Sequence, residues 1–211
     1  MQQKQIFDLF LVLDFEATCS DTNPQFRSEI IEFPIVVVDA KTGKIVAEFR
    51  EYVRPVLNKT LSAFCVKLTG IEQETVDAAA TFPVVFDKAQ QFYKNIHQKY
   101  PDAKTVFVTC GDWDLQFMLP QQAQISNTKI PRYYHKWVNV KIPFREIRKD
   151  FLGDMTGGVG MPFMLQNLGL PLVGRHHSGL DDSRNIAKIV STLVEKGVII
   201  DITSQKRSLN K

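Results

Sequence analysis

Asp14 and Glu16 stand two residues apart at the end of an apolar run, Leu-Phe-Leu-Val-Leu at 9–13. The run is too short to cross a membrane. It is apolar at every position, so it reads as a strand buried on both faces. Residues i and i+2 of a strand share a face, so the two carboxylates project side by side and Phe15 turns to the opposite face. Carboxylates held so close repel, and one is driven neutral unless a cation lies between them. A strand emerging into solvent with two ordinary acids is the plainer reading, and only partners elsewhere in the chain can decide.

Two further acids lack a simple structural account. Asp114 sits in Gly111-Asp112-Trp113-Asp114-Leu115, where one aspartate can cap a following helix but not both. Asp182 opens the apolar stripe of a helix read over 181–195, on the face of Ile186, Ile189, Val190 and Leu193. It should point inward and needs a partner, whereas Asp181 is free to cap. A glycine-flanked loop carrying His176 and His177, expected to be mobile, runs straight into that helix. Hard divalent cations require clustered carboxylate oxygens, and two of them about 4 Å apart can clamp an in-line phosphoryl displacement. A loop histidine titrating near neutrality can take the proton from the attacking water.

These positions need a framework, and the chain supplies a single domain of 211 residues, with a core over about 7–203 and a basic tail at 204–211. After a turn-rich loop at 20–28, strands are expected at 29–39 and 45–53, joined by a hairpin turn at 41–44. Pro34 marks an edge, bulge or bend. Thr60 is expected to cap a short helix over 61–68, and Thr81 a longer one whose face is Phe82, Val85, Phe86, Ala89, Phe92, Tyr93 and Ile96. A strand at 104–110 precedes the Trp-Asp turn. Further readings are a strand at 137–140, helices at 142–151 and 161–168, a glycine-rich loop at 153–160 without a phosphate-loop pattern, and a last strand at 198–202. Cys19, Cys65 and Cys110 are odd in number and widely spaced without a C-x-x-C pair, which argues against a zinc ribbon and favours buried reduced thiols in an intracellular protein. The net charge of +3 permits a polyanionic partner without demanding one.

The blocks LVLDFEATC (11–19), SEIIEFPIVVVD (28–39), YVRP (52–55), LSAFCVKLTGI (61–71), FVTCGDWDL (107–115) and GRHHSGLDDSRNIAKI (174–189) resemble the DEDDh branch of the DnaQ-like 3′-to-5′ exonucleases. Within it they are similar to the Eri-type exoribonucleases. The resemblance implies an RNase H-like α/β fold: a five-stranded mixed sheet, its first three strands antiparallel, flanked by helices. It implies two divalent ions, Mg2+ or Mn2+. Asp14, Glu16 and Asp182 would hold one, and Asp14, with Asp114 through water, the other. His177 would be the general base, because the family's histidine precedes the last acid by five residues. His176, Asp181 and Asp112 fall beside the motif positions. Ala17 and Thr18 would meet the 3′-terminal ribose, Glu16 and His177 the terminal nucleotide, and Phe64, Leu68 and Trp113 would wall its base. The implied partner is the 3′ end of single-stranded RNA, hydrolysed to 5′-nucleotides. Relatives that bind histone-mRNA stem-loops carry a nucleic-acid-binding domain ahead of the nuclease. Here the nuclease strand starts at about residue 8, so the resemblance leaves structured RNA open as a further substrate beside single-stranded 3′ ends. A DNA exonuclease and a catalytically silent RNA-binding or scaffolding module are the alternatives.

Overall fold

The computed structural model describes residues 4–23, 25–147 and 159–204. Strand β1 (Leu9–Val12) is central. It runs antiparallel to β3 (Ile30–Asp39) on one side and parallel to β6 (Thr105–Thr109) on the other. Beyond β3 lies antiparallel β4 (Ile45–Arg54), and beyond β6 lies parallel β7 (Trp137–Asn139). These five are the mixed sheet expected, with its three antiparallel strands in place. Two two-residue strands extend it: β2 (Glu16–Ala17) beside β3, and β5 (Ala80–Thr81) beside β4.

Period-two alternation sorts β1 between two cores. Phe10 and Val12 pack with Val36, Val38, Val106 and Val108 under α7 (Gly179–Glu195), whose Ile186, Ile189, Val190 and Leu193 fill that side. Leu9, Leu11 and Leu13 pack with Phe33, Ile35 and Phe107 against α3 (Phe82–Lys99). The face read for α3 is the one it buries, save that Phe92 and Tyr93 are only half-buried.

Pro34 is interior, not at an edge. Val12 pairs with Val36 and Glu16 with Glu32, so Pro34 lies opposite the stretch between the two pairings. Its missing N–H costs no ladder bond there, and the gap lets the chain carrying Asp14 leave the sheet.

Several local expectations change. Ser62, not Thr60, caps α1 (Ala63–Thr69): its hydroxyl accepts from Cys65 N at 3.0 Å and donates to the Cys19 carbonyl at 2.7 Å. Thr81 holds the cap position of α3 without a capping side-chain bond, since it pairs with Arg54 in β5. The segment 198–202 is not a strand. Val198 and Ile200 are buried, but the Gln5 side chain binds Val198 O and Ile200 N and takes the place of a neighbouring strand. Helix α5 is Lys141–Ile147; the rest of the helix read to 151, most of the glycine-rich loop and nearly all of the basic tail lie outside the described residues. Helix α6 (Met161–Leu168) closes on Gly169 as read. Of the three free thiols only Cys65 is fully buried.

No helix among the described residues is long and apolar enough to cross a membrane.

Candidate active site

The alternation of β1 continues past its end. Asp14 and Glu16 keep the parity of Phe10 and Val12 and so fall on the α7 side, while Phe15 joins the opposite core edge-on to Phe33 at 4.7 Å. Helix α7 places Asp182 in its first turn on the same side. One carboxylate oxygen from each of Asp14, Glu16 and Asp182 lies within 4.8 Å of the other two. Asp114 starts a π-helical turn, Asp114–Met118, that leads into α4 (Leu119–Ile125), and its Oδ1 accepts the Phe15 N–H at 2.9 Å. That bond joins the Trp-Asp turn to the peptide between the two strand-end acids.

Glu16, Asp114 and Asp182 are all nearly inaccessible. Burial and mutual repulsion raise Asp14 well above the carboxylate range, with Asp114 its strongest repelling neighbour. The same causes push Glu16 up to about 8, Glu32 being its first repelling neighbour. Burial pushes Asp114 and Asp182 up to about 6, opposed by the N–H of Phe15 and of His177 respectively. Four acids so arranged need positive charge. Asp182 Oδ1 is buried with no hydrogen-bond partner among the described residues, as befits a carboxylate oxygen reserved for a cation. The all-oxygen donor set suits a hard divalent ion.

Glu32, on β3, organises this arrangement and was not singled out in the sequence. It is fully buried. Its carboxylate accepts from Gly179 N at 3.0 Å, Leu180 N at 3.1 Å and Arg50 Nε at 2.8 Å. It therefore caps α7, where an anion is favoured by the helix dipole. Asp181, expected to cap, instead accepts the Arg175 N–H at 3.0 Å. Asp112 accepts from Trp137 Nε1 and Asn139 Nδ2 and ties the Trp-Asp turn to β7. The only sequence signal for Glu32 was its parity: it shares a face with Val36 and Val38, toward the acids.

The histidine loop is tethered rather than loose. His177 N donates to Asp182 Oδ2 at 2.8 Å, Asn185 bonds both backbone groups of Val173, and the Arg175 guanidinium donates to the carbonyls of Lys67 and Leu68 at the end of α1. His177 is partly buried, and desolvation with the neighbouring His176 and Arg175 lowers its pKa. The ring of His176 stacks on it at 4.0 Å.

Phe64 on α1 and Trp113 in the turn are large and exposed, and Leu68 is half-buried. Ala17 O accepts weakly from Cys65 Sγ at 3.7 Å. Thr18 is buried, and its hydroxyl accepts the Glu29 N–H at 2.9 Å. Lys141, missed in the sequence, stands near enough to lower Asp114.

A family model described as Exonuclease (RNase T) matches residues 11–190. The nuclease domain of 3′hExo, a DEDDh family member bound to rAMP, superposes with a TM-score of 0.86 at 36% identity, covering 95% of this chain and 98% of that one. The chain belongs to the exonuclease family, in its DEDDh branch. Other exonuclease relatives are similar over nearly all of it. ERI1 exoribonuclease 3 of Homo sapiens is 40% identical over 95% of this chain and 58% of its own length; human 3′-5′ exoribonuclease 1 is 39% identical over 94% and 56%. The chain thus spans somewhat over half the length of these relatives. A 3′-exonuclease in 3′-end-specific recognition of a histone mRNA stem-loop matches with a TM-score of 0.85 at 37% identity, over 94% of this chain and 67% of that one. The RNase H-like sheet and its flanking helices are those of these nuclease domains.

Proposed function

We propose that the chain is a metal-dependent 3′-to-5′ exoribonuclease that releases 5′-nucleotides. The observation that carries this reading is the meeting of Asp14, Glu16 and Asp182, from a strand end and a helix start, within 4.8 Å. Support comes from the exoribonuclease relatives, whose similarity spans the whole site.

Asp14, Glu16 and Asp182 would hold one divalent ion, Mg2+ or Mn2+, and Asp14 with Asp114 would serve a second. Such ions supply Lewis-acid stabilisation of the scissile phosphate and ionisation of the attacking water. His177 would act as the general base toward the attacking water, a role suited to a ring whose pKa is held down. The hydrogen bond from its own N–H to Asp182 fixes it relative to the carboxylates. Glu16, Ala17 and Thr18 meet the terminal nucleotide, and a free 2′-hydroxyl read there selects RNA. Exposed Phe64 and Trp113, with Leu68, wall the last base; stacking tolerates any base, as stepwise removal requires.

The test compares matched single-stranded RNA and DNA, each with a free or a 3′-phosphorylated end, in the presence and absence of Mg2+. Metal-dependent shortening of RNA from a free 3′ end is expected. Equal rates on blocked and free ends would make it an endonuclease, and preference for DNA would overturn the sugar reading.

A further inference from the structure

Asp182 belongs to two groups of candidate ligands. On one side it meets Asp14 and Glu16, and on the other His176 and His177. In each trio one donor atom per residue lies within 4.8 Å of the others. The first trio is all oxygen. The second is two imidazoles and a carboxylate, a donor set matched to a borderline ion such as Zn2+ and poorly matched to Mg2+.

Consecutive residues of an extended chain point apart. His177 departs from that geometry with φ +64°, a region that side chains other than glycine seldom occupy. The turn closes with Ser178 N donating to Arg175 O at 3.2 Å. The two rings consequently lie face to face, 4.0 Å apart and 24° from parallel. His176 Nε2 is 4.0 Å from Asp182 Oδ2; because imidazole binds an ion in its ring plane, sharing one ion would require the exposed His176 ring to rotate out of its stack on His177. The backbone beneath is held by the Arg175 and His177 N–H bonds to Asp181 and Asp182. The Arg175 guanidinium is engaged by the carbonyls ending α1.

We propose that His176, His177 and Asp182 form a separate site for a borderline transition ion, with Zn2+ as its type, and that filling this site switches the nuclease off. An ion bound there would engage the His177 ring as a ligand and would compete with Asp14 and Glu16 for Asp182, which both trios share. The binding half stands on the geometry alone; the inhibitory half rests on the proposed nuclease reading.

The test uses Zn2+ with the metal-free protein and its His176→Ala and His176→Gln variants, followed by calorimetry. Co2+ serves as a spectroscopic probe, its visible d–d bands reporting imidazole ligation. Loss of one ligand should weaken Zn2+ binding about tenfold or more and change the Co2+ bands. In Mg2+-supported RNA hydrolysis, with rates normalised to each protein's own zinc-free rate, half-inhibition should need about tenfold more Zn2+ in both variants. Equal Zn2+ affinity in all three proteins would overturn the site. Weakened binding with unchanged inhibition would overturn the switch and place inhibitory zinc on the carboxylates. Absence of any nuclease activity would overturn the functional reading, while calorimetry would still decide the site.

Discussion

Gly179 lies against the backbone carbonyl of Asp14, so closely that a Cβ at 179 would come within 2.6 Å of that oxygen. Pro34 and Glu32 would crowd the same atom at 3.2 and 3.3 Å. The first turn of α7 can approach the end of β1 only because residue 179 has no side chain, and that approach brings Asp182 to Asp14 and Glu16. Gly179→Ala should therefore cost about 1–3 kcal/mol of stability through overpacking and lower the rate of hydrolysis. Urea titration with parallel assays checks this, and a variant as stable and active as the parent would contradict the close approach.

Glu32 receives three N–H groups from a helix start and an arginine. Glu32→Ala leaves two buried peptide N–H groups without an acceptor, an expected loss of about 1–3 kcal/mol. Glu32→Gln keeps one acceptor oxygen and should lose less. The order Ala worse than Gln, read from denaturant midpoints, tests whether Glu32 acts as the cap of α7.

In the metal-free protein the clustered acids should make stability fall as pH rises. Glu16 is held up to about 8 against an ordinary 4.5, and Asp114 and Asp182 up to about 6 against 3.8. Over that window the folded protein binds more protons than the unfolded chain, so the free energy of unfolding decreases from about pH 4 upward. Asp14→Asn removes one member of the repelling set and should flatten the slope. Melting temperatures in chelator across pH 5 to 8, repeated in Mg2+, measure both effects; a melting temperature that rises with pH in chelator would show that the acids do not repel.

Asp14→Ala and Glu16→Ala should abolish hydrolysis with the fold intact, as read by circular dichroism and turnover; near-normal turnover in either would refute the assignment. His177→Ala should reduce turnover by about two to four powers of ten, the usual range for a general base, and leave Mg2+ affinity nearly unchanged. A larger loss in His176→Ala than in His177→Ala would shift the base by one residue.

Asp14, Glu16 and Asp182 were legible because alternation in β1 and the buried stripe of α7 predict where they point, and each prediction needs only local periodicity. Glu32 was hidden by its apolar neighbours: Ile30, Ile31 and Phe33 make the segment read as buried strand, and nothing nearby in sequence signals a helix terminus some 150 residues away. The segment at 198–202 has strand composition, yet a side chain, Gln5, serves it in place of a ladder. The cap of α1 is Ser62 and not Thr60: Ser62 is extended (φ −67°, ψ 151°) and its hydroxyl accepts the Cys65 N–H.

Arg175 fastens the end of α1 to the histidine loop through the carbonyls of Lys67 and Leu68. The helix that bears Phe64 and the loop that bears His177 are therefore coupled like two jaws on one pin. If Phe64 walls the terminal base as proposed, a shift of α1 would be passed to the histidine loop through these Arg175 bonds. Substitutions on that helix would then alter how fast a bound end is cut as well as how tightly it is held, and engineering one property would disturb the other.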